Sequence, residues 1–393
     1  MRLPPLSLYI HIPFCTSKCP YCDFHSQANR QPPEERYLRA VQNELLHWRT
    51  FLASDSRPIH SIFIGGGTPS LLRPEFYHAL LQTLSTYWTR SPACEITLEA
   101  NPDSLSREKL HGYKQAGINR ISLGVQALAT IRLKRLGRPH SVEQAVAAVD
   151  NICDAGFTNF NIDLIHATPN LSLHQWQQEL AQAVETLKPP HISCYSLTLE
   201  QGTAFHHQWQ SGTLSPLSES QQLAQFNHTR SFLTGVGYDA YEISNFALSG
   251  HSCIHNLNYW RFGDYIGLGC AAHGKITALD GRLIRTNNTA NVEEFISLYL
   301  ERDTKEPHPW QTNKPSRNEA GYECLLMGLR CAEGASIPMY EWVTGRPFSP
   351  AQIQTLDRLI EWGFVERFEQ DLRLTSRGVP MTDSVISQLA ETE

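Results

Sequence analysis

Short apolar, β-branched runs alternate with longer stretches of helical period over the first two-thirds of the 393-residue chain. Six runs read as buried strands: Leu8–Ile12, Ser61–Ile64, Glu95–Glu99, Arg120–Gly124, Phe160–Ile165 and His191–Leu197. Helical periodicity fills the intervals, at Glu34–Leu52, Pro74–Tyr87, Ser106–Ala116, Val142–Ala155, Leu173–Leu187 and Ser218–Thr234. Gly117, Gly156 and Gly235 stand where left-handed C-caps are wanted. Alternation of this kind predicts repeated βα units around a parallel sheet, an α/β fold of the open (β/α)6 barrel type. Right-handed crossovers then bring every strand end to one face.

The pattern changes after the proline- and charge-rich stretch Asp303–Pro315. Helical segments at Asn318–Ala332 and Pro350–Trp362 precede two strand-like runs, Gly363-Phe364-Val365-Glu366 and Leu372-Arg373-Leu374-Thr375, with Glu369-Gln370-Asp371 as the turn. Helices followed by a hairpin suggest a small C-terminal α+β domain of winged-helix-like shape. The organisation expected is a barrel over residues 1–300, a linker over 301–317 and the small domain over 318–393.

Nearly every predicted barrel strand ends in a polar or glycine-rich group. Strand two runs into Gly65-Gly66-Gly67-Thr68-Pro69, strand three into Glu99-Ala100-Asn101-Pro102 and strand four into Gly124-Val125-Gln126, while strand five carries Asp163. A glycine triplet alone is most often a turn, and each polar residue alone is as well explained by a satisfied structural role. Without Cβ atoms, however, the triplet lets backbone amides and carbonyls approach an amino acid's amine or carboxylate. Glu99, Gln126 and Asp163 are costly to bury unpartnered, so a polar ligand in the barrel mouth accounts for them together.

Composition narrows the class. With 41% hydrophobic and 18% charged residues the chain is globular, and a net charge of −6 gives no electrostatic footprint for nucleic acid. The tail makes that reading worse, since residues 318–393 hold six arginines, no lysine and twelve acids, 6 − 12 = −6. Met1-Arg2-Leu3-Pro4-Pro5 leads into no long apolar segment, so no secretory leader is expected and the chain is read as cytoplasmic. Trp310, Tyr340 and Trp342 suit either a partner surface or the core.

The sharpest signal is Tyr9-Ile10-His11-Ile12-Pro13-Phe14-Cys15-Thr16-Ser17-Lys18-Cys19-Pro20-Tyr21-Cys22, three cysteines spaced C-x3-C-x2-C just after strand one. Three thiolates on one loop can hold three irons of a [4Fe–4S] cube and leave the fourth open to a small molecule. The rival is zinc completed by His11 or His25, but no second cysteine pair follows at similar spacing. A disulfide needs an oxidising compartment, which nothing here indicates. The remaining cysteines (Cys94, Cys153, Cys194, Cys253, Cys270, Cys324, Cys331) are scattered and read mostly as buried small hydrophobes.

This loop resembles that of radical S-adenosylmethionine (SAM) proteins. Together with Tyr9, Gly-Gly-Gly-Thr-Pro, Glu99, Gln126, Leu136-Gly137-Arg138 and Asp163, it is similar to oxygen-independent coproporphyrinogen III oxidase and its relatives over about residues 6 to 290. The resemblance implies a partial (β/α)6 radical-SAM barrel in which Cys15, Cys19 and Cys22 ligate the cluster. It further implies that Tyr9, Gly66, Gly67, Thr68, Glu99, Gln126, Arg138 and Asp163 line a SAM site, with apolar contacts from Tyr21 and Leu197. Arg138 has its own warrant, because a guanidinium binds carboxylates bidentately.

Two departures select a branch. The decarboxylating oxidase has a fourth cysteine one residue beyond the third, whereas this chain has Cys22-Asp23-Phe24; the oxidase also has a long segment before the strand-one tyrosine, whereas Tyr9 lies close to the start. Then His255-Asn256-Leu257-Asn258-Tyr259-Trp260 matches the H-N-x-x-Y-W motif of the HemW haem-chaperone branch. An imidazole can ligate haem iron, and tyrosine and tryptophan can stack on the disc, so His255, Asn256, Tyr259 and Trp260 become candidate haem contacts. A lone histidine is more often a hydrogen-bonded core residue. A rival metal site could be drawn from His251, Cys253, His255, Cys270 and His273.

The resemblance implies a haem carrier that holds a SAM-ligated [4Fe–4S] cluster and passes haem to respiratory haem-protein acceptors at the membrane surface; it allows a homodimer and gives no role to nucleic acid. The alternative is the radical-SAM decarboxylase itself, acting on a porphyrinogen propionate.

Overall fold

The computed structural model describes residues 2–301 and 306–390. Six strands, β1 (Leu6–Ile12), β2 (Ile59–Gly66), β3 (Arg90–Ala100), β4 (Arg120–Gln126), β5 (Phe160–His166) and β6 (His191–Ser196), pair in parallel and in chain order. The crossovers carry α1 (Glu34–Phe51), α2 (Pro74–Tyr87), α3 (Arg107–Ala116), α4 (Thr130–Arg135), α5 (Val142–Asp154) and α6 (Leu173–Gln182). These are the βα units read from the periodicity.

The sheet is larger than expected. After β6 come α7 (Ala204–Gln210), α8 (Glu219–Gly235) and two short strands, β7 (Asp239–Ala240) and β8 (Asn245–Ala247). The motif helix α9 (Ile254–Trp260) leads to β9 (Asp264–Leu268), which pairs in parallel with the other side of β1. Antiparallel β10 (His273–Thr277), β11 (Leu283–Asn287) and, beyond α10 (Val292–Glu301), β12 (Gln311–Asn313) extend that side. The order is β12-β11-β10-β9-β1-β2-β3-β4-β5-β6-β8-β7.

Period-two alternation gives the barrel strands two chemically opposite faces. Leu6, Leu8, Ile10, Ile62, Ile64, Ile96, Leu98, Ile121, Leu123, Ile162 and Ile192 enter the main apolar core with the helices. The opposite face carries Ser7, Tyr9, His11, Ser61, Phe63, Glu95, Thr97, Glu99, Arg120, Ser122, Asn161, Asp163, His191 and Ser193. The interior is therefore polar along its length, not merely at the strand ends. Many of its groups satisfy one another: Asn161 Nδ2 donates to Ser122 Oγ at 2.8 Å and to Asp163 Oδ1 at 2.7 Å, and Asn161 Oδ1 is 2.7 Å from His191 Nδ1.

Gly117 and Gly156 are left-handed, with φ of 104° and 81°, but Gly235 is not a cap: α8 runs through it and Gly237 takes the positive φ of 95°. α6 continues as a π turn over Ala183–Leu187 before Lys188 ends it with φ 43°.

The C-terminal residues form α11 (Arg317–Gly328), β13 (Ala335–Ser336), α12 (Ile337–Thr344), α13 (Pro350–Glu361), β14 (Val365–Phe368), β15 (Asp371–Leu374) and α14 (Thr382–Ala390). The order helix, strand, two helices and hairpin, with β15 between β13 and β14, is winged-helix-like. Their core includes Leu325, Tyr340, Leu356, Leu359, Leu372 and Ile386, joined by Phe262 and Leu283 from the barrel side. In the main core, Trp310 is 4% exposed and stacks at 4.4 Å on both Trp48 and His308.

Candidate functional site

β1 delivers the cysteine loop. Past Ile12 and Pro13, Phe14–Cys15 pairs with Gln27–Ala28 and closes the loop on itself, while the Cys22 amide donates to the Cys19 carbonyl at 3.1 Å. Phe14 is fully buried with its ring edge-on to Tyr37 at 5.3 Å, which ties the loop base to α1. Cys15 is buried, Cys19 and Cys22 are half-buried, and all three are free thiols. Burial, then the neighbouring Cys19 and Cys15, push the Cys22 thiol up.

Donors reach two of these sulfurs. Thr68 Oγ1 donates to Cys15 Sγ at 3.5 Å, and Arg138 Nη1 donates to Cys19 Sγ at 3.6 Å. Asn101 joins the two donors: its Oδ1 accepts from Arg138 Nη2 at 2.6 Å, and its Nδ2 donates to Thr68 Oγ1 at 3.1 Å. The ends of β2 and β3 and the turn before α5 are thereby locked to the loop. Hydrogen bonds to ligating sulfurs orient them and stabilise the thiolate form, so the donor set fits an iron–sulfur cluster. Among the described residues no three His, Cys, Asp or Glu side chains converge as a site for a lone ion. A cubane asks for less, since each loop thiolate meets a different iron.

His11 is no zinc ligand in this arrangement. Its Nδ1 is 3.0 Å from Tyr9 Oη and its Nε2 is 2.7 Å from the His25 carbonyl; burial foremost lowers its pKa to about 4, so the ring is neutral and anchors the far side of the loop. That ring also explains Gly66. With φ 111°, a Cβ there would stand 2.5 Å from His11 Cε1, and one at Gly67 would stand 2.6 Å from the Phe14 carbonyl. The triplet thus lets β2 end pressed beneath the cysteine loop.

Glu99 Oε2 accepts the Gly66 amide at 3.0 Å, and burial, with Asp163 nearby, pushes this carboxyl up to about 8. Burial raises Asp163 as well, against hydrogen bonds from Asn161 and Ser193. Two carboxyls raised by burial at the mouth of a barrel suit a cationic ligand. Gln126 breaks the β4 register with a left-handed φ of 65°, and its amide lies beside Gly124, Asn101 and Arg138. Tyr21 and Leu197 meet in a separate apolar cluster with Leu136 and Phe205. Leu136 and Phe205 also line a cleft of about 560 Å³ between α4, α6 and α7.

The H-N-x-x-Y-W segment lies elsewhere. α9 plugs the inner face of the sheet, capped by Glu95, whose carboxylate accepts from the Ile254 and His255 amides at 3.2 and 3.1 Å and from Cys253 Sγ at 3.3 Å. His255 is 0% exposed, with Nδ1 2.9 Å from Ser61 Oγ and Nε2 2.9 Å from Tyr259 Oη. Both ring nitrogens are thus engaged, so axial ligation of haem iron would require one of these bonds to break, while burial lowers the pKa to about 3 and keeps the ring neutral. Asn256 and Trp260 are half-buried on the same short helix. The alternative set does not assemble either, because Cys253 bonds Glu95, Cys270 is buried beside Tyr37 and His273 is exposed. Asn101, Phe63, Glu95 and Arg120 carry much of the geometry and were assigned no role in the sequence reading, where His11 entered only as a rival zinc ligand. Asn101 had a signal, its place two residues after Glu99 at a strand end.

Comparisons with known proteins bear on the family and the fold. The Radical SAM superfamily model matches residues 9–183, and that of the HemN C-terminal domain matches residues 316–381. Heme chaperone HemW of Escherichia coli (strain K12) is 39% identical over 98% of each chain. Heme chaperone HemW of Bacillus subtilis (strain 168) is 33% identical over 95% of this chain and 96% of its own. Among solved structures, coproporphyrinogen III oxidase (HemN) from Escherichia coli superposes with a TM-score of 0.81 at 23% identity, covering 99% of this chain and 90% of that one, a likeness of fold.

Proposed function

The chain belongs to the HemW family of radical SAM proteins, and from that membership we propose that it is a haem chaperone carrying a [4Fe–4S] cluster and SAM. In this reading Cys15, Cys19 and Cys22 hold three irons, and Glu99, Asp163, Arg138, Gln126 and the Gly66-Gly67-Thr68 turn receive SAM at the open iron. When bound, the cluster supplies one-electron chemistry. The protein's part is to fix the loop through His11, to hold the sulfurs with Thr68 and Arg138, and to place carboxylates against the cationic part of SAM while Arg138 stands ready for its carboxylate. The observation that carries the reading is the Cys19–Arg138–Asn101–Thr68–Cys15 chain of contacts, which binds the cysteine loop to two strand ends and the turn before α5 at once.

The cargo is haem, handed to respiratory haem proteins at a membrane surface by a cytoplasmic carrier. Among the described residues no helix is long and apolar enough to cross a membrane. His255 is not assigned as the axial ligand, since ligation there would break its bond to Ser61 or to Tyr259.

The test is anaerobic reconstitution of the full chain, followed by haem and coproporphyrinogen III offered side by side. We expect about one haem per chain by the Soret band and no protoporphyrinogen, with haem still bound when all three loop cysteines are serine. Robust turnover of coproporphyrinogen III makes the protein a decarboxylase instead.

A further inference from the structure

The H-N-x-x-Y-W helix and the cysteine loop are far apart in sequence, yet inside the barrel an unbroken series of rings joins them. Tyr265 meets Tyr259 at 4.7 Å, Tyr259 meets His255 at 4.8 Å, and His255 stacks on Phe63 at 5.3 Å. Phe63 stacks on Tyr9 at 6.4 Å, Tyr9 meets His11 at 5.9 Å, and His11 meets His25 at 6.3 Å. All six centroid separations fall in or near the range of about 4.5–7 Å in which aromatic pairs attract. Hydrogen bonds fix the series at both ends, Tyr259 to His255 and His255 to Ser61 at one, Tyr9 to His11 and His11 to the His25 carbonyl at the other. At the outer end, Arg285 Nη1 donates to Tyr265 Oη at 3.2 Å and pairs with Glu323 of α11 in the C-terminal domain.

We infer that Phe63 and His255 are positioning residues for the cluster loop: α9 sets the ring of Tyr9, Tyr9 sets His11, and His11 holds the loop by its His25 carbonyl. The H-N-x-x-Y-W helix is then an internal strut whose placement, adjustable from the C-terminal domain through Tyr265, is read at the SAM site. Phe63 is the joint. Its ring touches both His255 on the α9 side and Tyr9 on the other, and a leucine there leaves Tyr9 without a stacked face while keeping the position apolar. This inference rests on the SAM site proposed above.

The experiment uses the reconstituted full chain and reads both the SAM dissociation constant and the midpoint potential of the cluster. Phe63→Leu and His255→Gln are expected to weaken SAM at least about fivefold, the lower range of site-to-site coupling. Phe63→Tyr, which keeps the ring, restores wild-type affinity, and Phe76→Leu, an equal loss of ring from the outer core, leaves it unchanged. His255→Gln and His11→Gln, at opposite ends, should combine with a departure from additivity beyond about threefold, since uncoupled distant sites add more closely than that. Wild-type affinity in Phe63→Leu and His255→Gln overturns the inference, as does equal loss in Phe76→Leu. If Phe63→Leu does not fold, His255→Gln carries the same comparison. If the wild-type chain binds no SAM, the site reading falls, and the potential decides the strut: a shift in Phe63→Leu absent from Phe76→Leu upholds it, and no shift ends it.

Discussion

Glu99 makes SAM binding dependent on pH, and the size of the effect follows from its surroundings. Burial, with Asp163 nearby, raises its pKa to about 8 in the ligand-free protein. A carboxyl of that pKa is ionised in about one molecule in eleven at pH 7, so recruiting it as an anion for a cationic ligand costs about 1.4 kcal/mol there. From pH 6 to pH 8 its ionised fraction climbs from about 1% to about 50%, an increase of about 50-fold in apparent affinity, or about 2.3 kcal/mol. The sign is fixed: affinity rises with pH, flattens above about 8, and binding releases a proton. The ammonium of SAM titrates in the same range, so the quantity that isolates Glu99 is the difference between wild type and Glu99→Gln. Calorimetric titration in two buffers of different ionisation enthalpy counts the proton directly. Glu99→Gln should bind more weakly at pH 8 and lose most of the pH slope. Equal slopes in the two proteins, or wild-type affinity that falls with pH, refute the argument. Because the folded carboxyl holds its proton more tightly than the unfolded one, the ligand-free fold also loses stability as pH rises from about 4.5 towards about 8.

Cys19→Ser should abolish the brown absorbance and most bound iron and sulfide, while Cys94→Ser should leave both intact; equal loss in the two variants refutes the loop assignment. Asn101→Ala unpairs Arg138 from Thr68 and should weaken SAM binding by about 1–3 kcal/mol, the penalty for buried polar groups left without partners, with the iron content retained; SAM titration beside iron analysis checks both halves. Trp310→Ala removes the ring stacked on Trp48 and should cost about 3–5 kcal/mol, read as a lower midpoint in chemical denaturation, whereas Leu279→Ala, at a position 82% exposed, should change it little.

The six barrel strands were legible because each is a run of β-branched and aliphatic residues between helices of clear period. β3 begins at Arg90, earlier than the apolar run, because Arg90 pairs with Ile59 before the register shifts to Ser61 and Glu95, and Arg90-Ser91-Pro92-Ala93 has little buried side chain to betray it. β9 was missed: Asp264-Tyr-Ile-Gly-Leu is short, and its place beside β1 is a matter of tertiary pairing. The cysteine loop and the carboxyls of the barrel mouth stood out by residue type and spacing. The polar lining did not, since Ser7, Ser61, Ser122 and Ser193 look like ordinary polar positions until the sheet curls and turns them inward. Nor could a sequence show that the imidazole of His255 is claimed by a serine 194 positions away. In the folded chain the histidine of the H-N-x-x-Y-W motif is part of the wall.

The twelve-stranded sheet ends on one side in β7, two residues long, and on the other in β12, three residues long. Edges so brief offer a second copy almost no backbone to grip, a common defence of β-proteins against polymerising side by side. Should two copies of this protein pair, the sheet would not grow from one molecule into the next. Recognition would fall to side chains on helices and loops, where a few substitutions could loosen the pair and leave each barrel whole.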